Sequence, residues 1–286
     1  MRVDTLSVVV KAIGYIALLQ GVGIALFIGA FGPNLERSAA AIRRVGVASV
    51  ALSAAALLAF HLMEAARMTG EYSGSMDQAL QARVLSSSMG AATGLRMLGA
   101  TLIGLGLWSE SRERALLAII GGAIATTSFL LVGHSVSHQP RWLLVPLLDF
   151  HVLVVTFWFG SIAPLIMIAR REVPQIAHAI VERFSGVAAT LVPAMVAAGL
   201  GMAWILTGGR YSISDPYCMS LTGKVVLLAI ALMLAALNRW LFGPALGAGS
   251  SQAVRVFSRS LAAEYLVLSA VIALTAAMTN LFSPGH

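Results

Sequence analysis

The sequence has few charged residues and only one cysteine, and both shortages exclude classes of protein. Charged residues make up 11% of the 286 residues, whereas a soluble domain carries roughly 25%. A single cysteine, Cys218, cannot form an internal disulfide. The chain also shows no sign of a hydrolase triad, a phosphate-binding glycine loop or an HExxH zinc motif. We therefore expect a chain that lies mostly outside water and is not an enzyme.

What the chain has instead is long apolar segments. Apolar residues make up 58% of the sequence, and the mean hydropathy is +0.87. They come in blocks of about 20 residues, the length that a helix needs to cross roughly 30 Å of hydrocarbon. No block alternates with a period of two, which argues against a membrane β-barrel. The pattern predicts an all-α polytopic membrane protein with eight transmembrane helices, near 8–31, 43–67, 88–108, 113–134, 147–169, 185–207, 219–240 and 260–282.

The distribution of basic residues predicts the orientation of these spans. With eight spans both termini lie on one side, and the first apolar block is too long for a cleaved signal peptide. Most arginines fall in the connections after spans one, three, five and seven, so the positive-inside rule puts both termini in the periplasm. The net charge of +7 is then a topology signal, and we expect no nucleic-acid partner. The longest connection, 68–87, is expected to hold a short interfacial helix.

The two halves of the sequence resemble each other weakly. Gly90 and Arg96 of the third span align with Cys218 and Lys224 of the seventh, and each pair is six residues apart. Four spans per unit make a parallel repeat, and substrate sites in such folds often lie between the repeats. The predicted organisation is one membrane domain, 1–286, with repeats at about 1–141 and 142–286.

Residues that can bind a metal collect near the face that this topology places outside. Imidazole suits Cu(II), and thioether and thiolate suit Cu(I), so the set predicts a copper site at the outer mouth. His134 and His138 would share one helix face if the fourth span continued through them. Each residue alone is also compatible with simple packing, and most methionines, Met278 among them, are expected to be packing residues. The predicted ligands are His61, His134, His138, His151, Cys218, Met219, Met63 and Met68.

Several polar residues fall inside or beside the spans. Charged groups in a membrane usually face an internal cavity or a partner, although a long side chain can also reach the nearer interface. Glu264 is expected to pair with Arg255 or Arg259. Trp158 either lines a pathway or belongs to the core. The candidates for a transport pathway or a structural polar role are Asp149, Trp158, Arg96, Lys224, Asn238 and Glu264.

Three segments of the second half resemble one known family. They are GHSVSHQPRWLLVPLLDFHVLVVTFWFGSIAPL (133–165), YCMSLTGKVVLLAIALMLAALNR (217–239) and RSLAAEYLVLSAVIALTAAMTN (259–280). Their order is similar to that of the copper resistance D (CopD) family, which has Gly-His after one span, Trp-x-Gly in the next, a Lys…Asn-Arg block and a final Arg…Glu span. The resemblance is firm over about 133–281 and weaker over the first half.

The resemblance implies a bacterial inner-membrane protein of copper uptake or resistance. Relatives often work with a small periplasmic copper-binding protein of the CopC type, which we expect here as a separate chain. Cys218 departs from the family, which usually has glycine at that position. The residues that match family positions are His134, His151, Trp158, Lys224, Asn238, Arg239 and Glu264.

Three functional hypotheses stay open at this point. The leading one is copper binding at the periplasmic face followed by transport of the copper ion, Cu(I) or Cu(II), across the inner membrane. The second is a b-type haem electron carrier with axial ligands among His61, His134 and His151. Di-haem carriers usually place histidines at two depths, whereas these three cluster on one side. The third is a copper donor for respiratory oxidase assembly, which would use the same site as the transporter.

The metal content of the purified protein separates copper from haem. After copper loading and desalting, we expect near-stoichiometric copper without iron by elemental analysis, because the predicted ligands suit copper. A reduced-minus-oxidised spectrum should then lack a sharp alpha band. Stoichiometric iron would instead identify haem and contradict the copper hypothesis.

Overall fold

The computed structural model describes residues 3–133, 138–210, 212 and 214–281, and these residues form helices without strands. The helices are α1 (Val3–Phe31), α2 (Ala39–Thr69), α3 (Gln78–Leu85), α4 (Ser88–Leu107), α5 (Arg112–Thr127), α6 (Arg141–Arg171), α7 (Pro174–Leu206), α8 (Pro216–Leu237), α9 (Gly243–Ala245) and α10 (Ser251–Leu281). Turns of 3-10 helix at Gly32–Asn34, Tyr72–Met76, Ser128–Leu131 and Leu246–Ala248 and a π-helical turn at Asn238–Phe242 complete them.

Eight of the described helical segments are long and apolar enough to cross a membrane, as the sequence predicted. The seventh runs from Pro216 through α8 and α9 to Ala248. The short helix expected between spans two and three is α3. It begins where the Asp77 carboxylate accepts hydrogen bonds from the amides of Ala79 and Leu80, which have no partner inside the helix.

Helix α1 lies at the centre of the bundle and is the most buried span. It packs against α2, α5, α6 and α10. Its closest approach is to α6, where the Gly23 and Gly160 backbones meet: a β-carbon on Gly23 would lie 2.5 Å from the Gly160 Cα. At the same level the Gln20 side-chain amide donates to the Gly160 carbonyl at 2.8 Å. Small residues allow such backbone contact between membrane helices, and this contact joins the two halves of the chain.

Three helix pairings recur in both halves and one differs, since α2 packs on α4 whereas the described residues of α7 and α8 make little contact. In the first half α1 packs on α2 and α5, and α4 packs on α5. In the second half α6 packs on α7 and α10, and α8 packs on α10. The division into two parallel repeats stays a prediction.

One face of the bundle contains the start of α1 and the ends of α2 and α10, and we call it the N-terminal face. There Arg67 of α2 donates to Glu64 at 2.8 Å, to Asp4 of α1 at 3.2 Å and to the Asn280 side chain of α10 at 3.0 Å. The planar guanidinium has five N–H donors, so one side chain can hold three helix ends together.

At the opposite face Glu172 connects the two halves. Its carboxylate accepts from the amides of Arg37 and Ser38 at 3.0 and 2.8 Å, and from the Ser38 hydroxyl. Burial raises the pKa of Glu172, but these hydrogen bonds to the charged form outweigh burial and hold the pKa below its usual value. The carboxylate therefore holds the start of α2 against the end of α6.

The Gly23–Gly160 contact predicts the effect of adding a single methyl group. In Gly23→Ala the new β-carbon would lie 2.3 Å from the Thr156 carbonyl oxygen, and backbone atoms cannot move aside as a flexible side chain can. We expect a loss of about 1–3 kcal/mol in the free energy of unfolding, measured by thermal or denaturant unfolding in detergent. Gly186→Ala in α7 is the control, since nothing lies within 4 Å of its β-carbon position. Equal stability of the two variants would contradict the assigned contact.

Candidate metal centre

A cavity of about 280 Å³ lies between the two halves, in the part of the bundle nearer the N-terminal face. Helices α1, α4, α6, α7, α8 and α10 contribute to its walls, which are mostly apolar. The lining includes one histidine, three methionines, two lysines and two tyrosines: His151, Met89, Met202, Met278, Lys11, Lys224, Tyr15 and Tyr217. Concave, largely apolar pockets with a few polar groups are the usual form of a small-ligand site.

His151 of α6 is held in a fixed orientation by α7. Its Nδ1 lies 3.1 Å from the Met195 carbonyl oxygen. A carbonyl only accepts, so Nδ1 carries the proton and the neutral ring keeps a free electron pair on Nε2. The ring also packs on Gly199, where an added β-carbon would lie 3.0 Å from His151 Cε1. Metal-binding histidines commonly have one ring nitrogen fixed in this way while the other binds the metal.

Three methionines from three helices share the cavity with His151. Met89 comes from α4, Met202 from α7 and Met278 from α10. Met278, which the sequence analysis assigned to packing, is indeed buried but also lines the cavity. Apolar periodicity cannot separate a methionine that packs from one that lines a cavity, because both lie on a buried helix face.

Lys11 and Lys224 are the only lysines in the sequence, and both line this cavity. Lys11 is 3% exposed, and its ammonium lies 5.3 Å from the Phe60 ring centroid and 5.7 Å from that of Tyr15. Lys224 is less buried than Lys11. Its position in the cavity lining is one that charged side chains inside a membrane commonly take.

Arg96, which aligns with Lys224 in the sequence, lies behind the cavity wall. Its guanidinium carbon is 5.2 Å from the Tyr15 ring centroid and 4.9 Å from that of Phe129, and both rings line the cavity. Arg96 Nε donates to the Ser128 hydroxyl at 3.0 Å. Cation–π contacts and this hydrogen bond offset part of the cost of burying the charge.

The predicted ligands on α2 lie away from the cavity. His61 is buried, and its Nδ1 has no hydrogen-bond partner among the described residues. Met63 is partly buried, and Met68 is 60% exposed near the end of the helix. None of the three lines the cavity.

The region after α5 also differs from the prediction. The α-helix ends at Thr127, and the 3-10 turn that follows ends at Leu131 before an extended Val132. The helical continuation that would have joined His134 and His138 therefore stops short of them. His134 lies outside the described residues, and His138 follows in a bend that does not line the cavity.

Two predicted ligands near the start of α8, and the pathway candidate Asp149, also lie outside the cavity lining. Cys218 is buried, and its thiol donates to the Asp215 carboxylate at 3.6 Å. Met219 is 59% exposed, and Asp149 of α6 is partly buried; neither lines the cavity. Among the described residues, no three His, Cys, Asp or Glu side chains are placed to hold one metal ion.

Trp158, Asn238 and Glu264, which the resemblance carried over separately, form one buried network. The two Glu264 carboxylate oxygens accept from Trp158 Nε1 and Asn238 Nδ2, each at 2.7 Å. These bonds join α6, α10 and the end of α8. The expected pairing of Glu264 with Arg255 or Arg259 is wrong, because the carboxylate is already occupied by neutral donors.

A second cavity of about 210 Å³ lies toward the opposite face. Arg239, the residue after Asn238, lines it and donates to the Ser185 carbonyl. His178 and Glu182 of α7 also line it, 4.0 Å apart. The network around Glu264 therefore lies next to this second cavity, since Arg239 follows Asn238 in the chain.

Comparison with known protein families assigns the chain. A model of the copper resistance protein D-like N-terminal domain matches residues 2–141, and the copper resistance protein D model matches 178–278. The chain belongs to the copper resistance protein D (CopD) family. The resemblance found in the sequence is thereby confirmed, and this CopD-family chain is a multi-pass membrane protein of copper resistance. His151 and Trp158 lie between the matched segments. No curated protein and no solved structure gives a significant match.

The Glu264 network predicts a sharp loss of stability on a small change. In Glu264→Gln one oxygen acceptor becomes an NH₂ group that faces a donor from Trp158 or Asn238. We expect the free energy of unfolding to fall by about 1–3 kcal/mol, measured by unfolding in detergent. Glu182→Gln is the control, since the Glu182 side chain is 76% exposed. Unchanged stability in Glu264→Gln would show that the carboxylate does not need both donors.

Proposed function

We propose that this CopD-family protein binds Cu(I) in the cavity between its halves and moves it across the bacterial inner membrane from the periplasm. The observation that supports this most directly is His151. One ring nitrogen is fixed on the Met195 carbonyl, and the ring lines a cavity that three methionines also line. The assignment to a copper resistance family supports copper as the ion that is bound.

The residue types favour the reduced ion. Thioether sulfur is a soft ligand that selects Cu(I), and neutral imidazole accepts either oxidation state. All four groups are neutral, so they can bind and release the ion without losing a proton. A transport site must bind strongly enough to capture the ion and weakly enough to release it, which suits thioethers better than thiolates.

The arginine distribution supports the orientation that the proposed inward movement requires. The positive-inside rule puts both termini in the periplasm, and the cavity lies nearer that face. A periplasmic copper carrier of the CopC type would then deliver the ion at the N-terminal face, where α6 begins and α7 ends. On the opposite side, the Glu264 network and the second cavity would be the next positions along the route of the copper ion.

Replacing His151 tests the site directly. We expect His151→Ala to lower Cu(I) affinity roughly tenfold or more, measured by competition with a chromogenic chelator in detergent, because it removes a pre-oriented ligand. Copper uptake into proteoliposomes should fall in parallel. His178→Ala is the matched control for the affinity measurement alone, since His178 lines the second cavity and not the one that holds His151. An unchanged affinity in His151→Ala would reject this site.

The methionines provide an independent test. A triple variant, Met89→Leu, Met202→Leu and Met278→Leu, keeps the apolar volume and removes the sulfur atoms. We expect a loss of Cu(I) affinity of roughly tenfold or more, since soft thioethers contribute most to Cu(I) binding. Met233→Leu is the control, because Met233 is 58% exposed on α8 and does not line the cavity. Equal Cu(I) affinity in the triple variant and the control would show that the three methionines do not bind copper together with His151.

A further inference from the structure

The two lysines give the cavity a charge that does not suit a free copper cation. Lys11 and Lys224 contribute two ammonium groups, and no Asp or Glu is among the described lining residues. The four proposed metal ligands are neutral. A copper ion that entered alone would therefore add a third positive charge to a space with low-dielectric walls, where like charges repel more strongly than in water.

No described carboxylate neutralises either lysine directly. Neither Lys11 nor Lys224 has a hydrogen bond or ion pair within the part of the chain that the structure describes. Glu64 acts on Lys11 electrostatically, but it is bound by Arg67 at 2.8 Å. The contacts of Lys11 with Phe60 and Tyr15 are to ring faces, which attract a cation without accepting a full hydrogen bond.

The two cavity lysines differ from the arginines of the chain in their contacts. Apart from histidines, all other basic side chains in the sequence are arginines. Three of those near the two faces have partners: Arg67 and Arg43 pair with carboxylates, and Arg239 donates to a carbonyl. Arg96, near the same cavity, is covered by the Tyr15 and Phe129 rings. The ammonium groups that remain available to a ligand in the cavity are those of the two lysines.

We propose that Lys11 and Lys224 bind a small monovalent anion of halide size in this cavity, and that copper enters together with this anion. The anion offsets one of these three positive charges and lies between the cations, while His151 and the methionines bind the metal. The part concerning copper rests on the proposed function; the anion site itself does not. No bond is made or broken apart from coordination to the metal.

Radiolabelled chloride tests the anion site without copper. The purified full chain in detergent is dialysed to equilibrium against chloride, with gluconate as the other anion. We expect Lys11→Leu and Lys224→Leu each to weaken chloride binding about tenfold, since each removes one charge-assisted contact. Lys224→Arg should keep binding, and Arg255→Leu, which removes an exposed cation at the far end of α10, should leave it unchanged. Chloride binding that is absent in the wild type, or equal in all variants, would overturn the proposal.

Wild-type protein alone provides a second measurement in case the leucine variants do not fold. Reductive methylation labels side-chain amines, and the chain has two, so mass spectrometry assigns the label without ambiguity. We expect chloride, but not gluconate, to slow the labelling of both lysines. Labelling at the same rate in both salts would count against the anion site.

Cu(I) affinity measured in chloride and in gluconate tests whether the anion and copper bind together. At a fixed free Cu(I) concentration, chloride should raise the wild-type affinity about tenfold, and this gain should disappear in Lys224→Leu. A different pair of results would overturn the proposal. If the wild type had full Cu(I) affinity in gluconate and Lys224→Arg lost it, the Lys224 side chain would bind the metal as a neutral amine. Chloride binding in a protein that binds no copper would retain the anion site and reject both the co-entry of copper and the proposed function.

Discussion

The contact between Gly23 and Gly160 determines where the rest of the site can form. In hydrocarbon, helices gain little from burying apolar surface, so close packing of small residues and hydrogen bonds hold them together. Here the α1 and α6 backbones touch, and Gln20 adds a hydrogen bond across the junction. The contact joins the first helix of one half to the first helix of the other.

One face of α1 carries both the Gly23–Gly160 contact and the residues that line the cavity. Lys11, Tyr15 and Leu19 line the cavity, and Gly23 follows at the next four-residue step along the same face. On α6, His151 and Val155 line the cavity a few turns before Gly160. The two helices therefore touch at one level and enclose a space at the next, nearer the N-terminal face.

The buried charged groups of the two halves have different kinds of partner. Glu264 has two neutral donors, and Arg96 has a hydroxyl and two aromatic rings. An apolar bundle tolerates such groups because these contacts offset part of the cost of burying them. Lys11 and Lys224 face the cavity instead, where a ligand can reach them. The proposed entry of copper together with an anion would use both kinds of group, the soft neutral donors and the two cations.

The sequence by itself determined the number of spans, the short helix α3 and the family, because hydropathy, capping and motif order are properties of single segments. It also singled out His151 and Lys224, since a polar residue stands out in an apolar run. The tertiary structure alone decided which residues meet. Met89, Met278 and Lys11 lie far apart in the sequence and share one cavity only because six helices are packed with particular rotations. Conversely, His61 and Met219 lie near the predicted face but away from the cavity lining, since depth in a membrane does not determine the direction in which a helix presents its side chains.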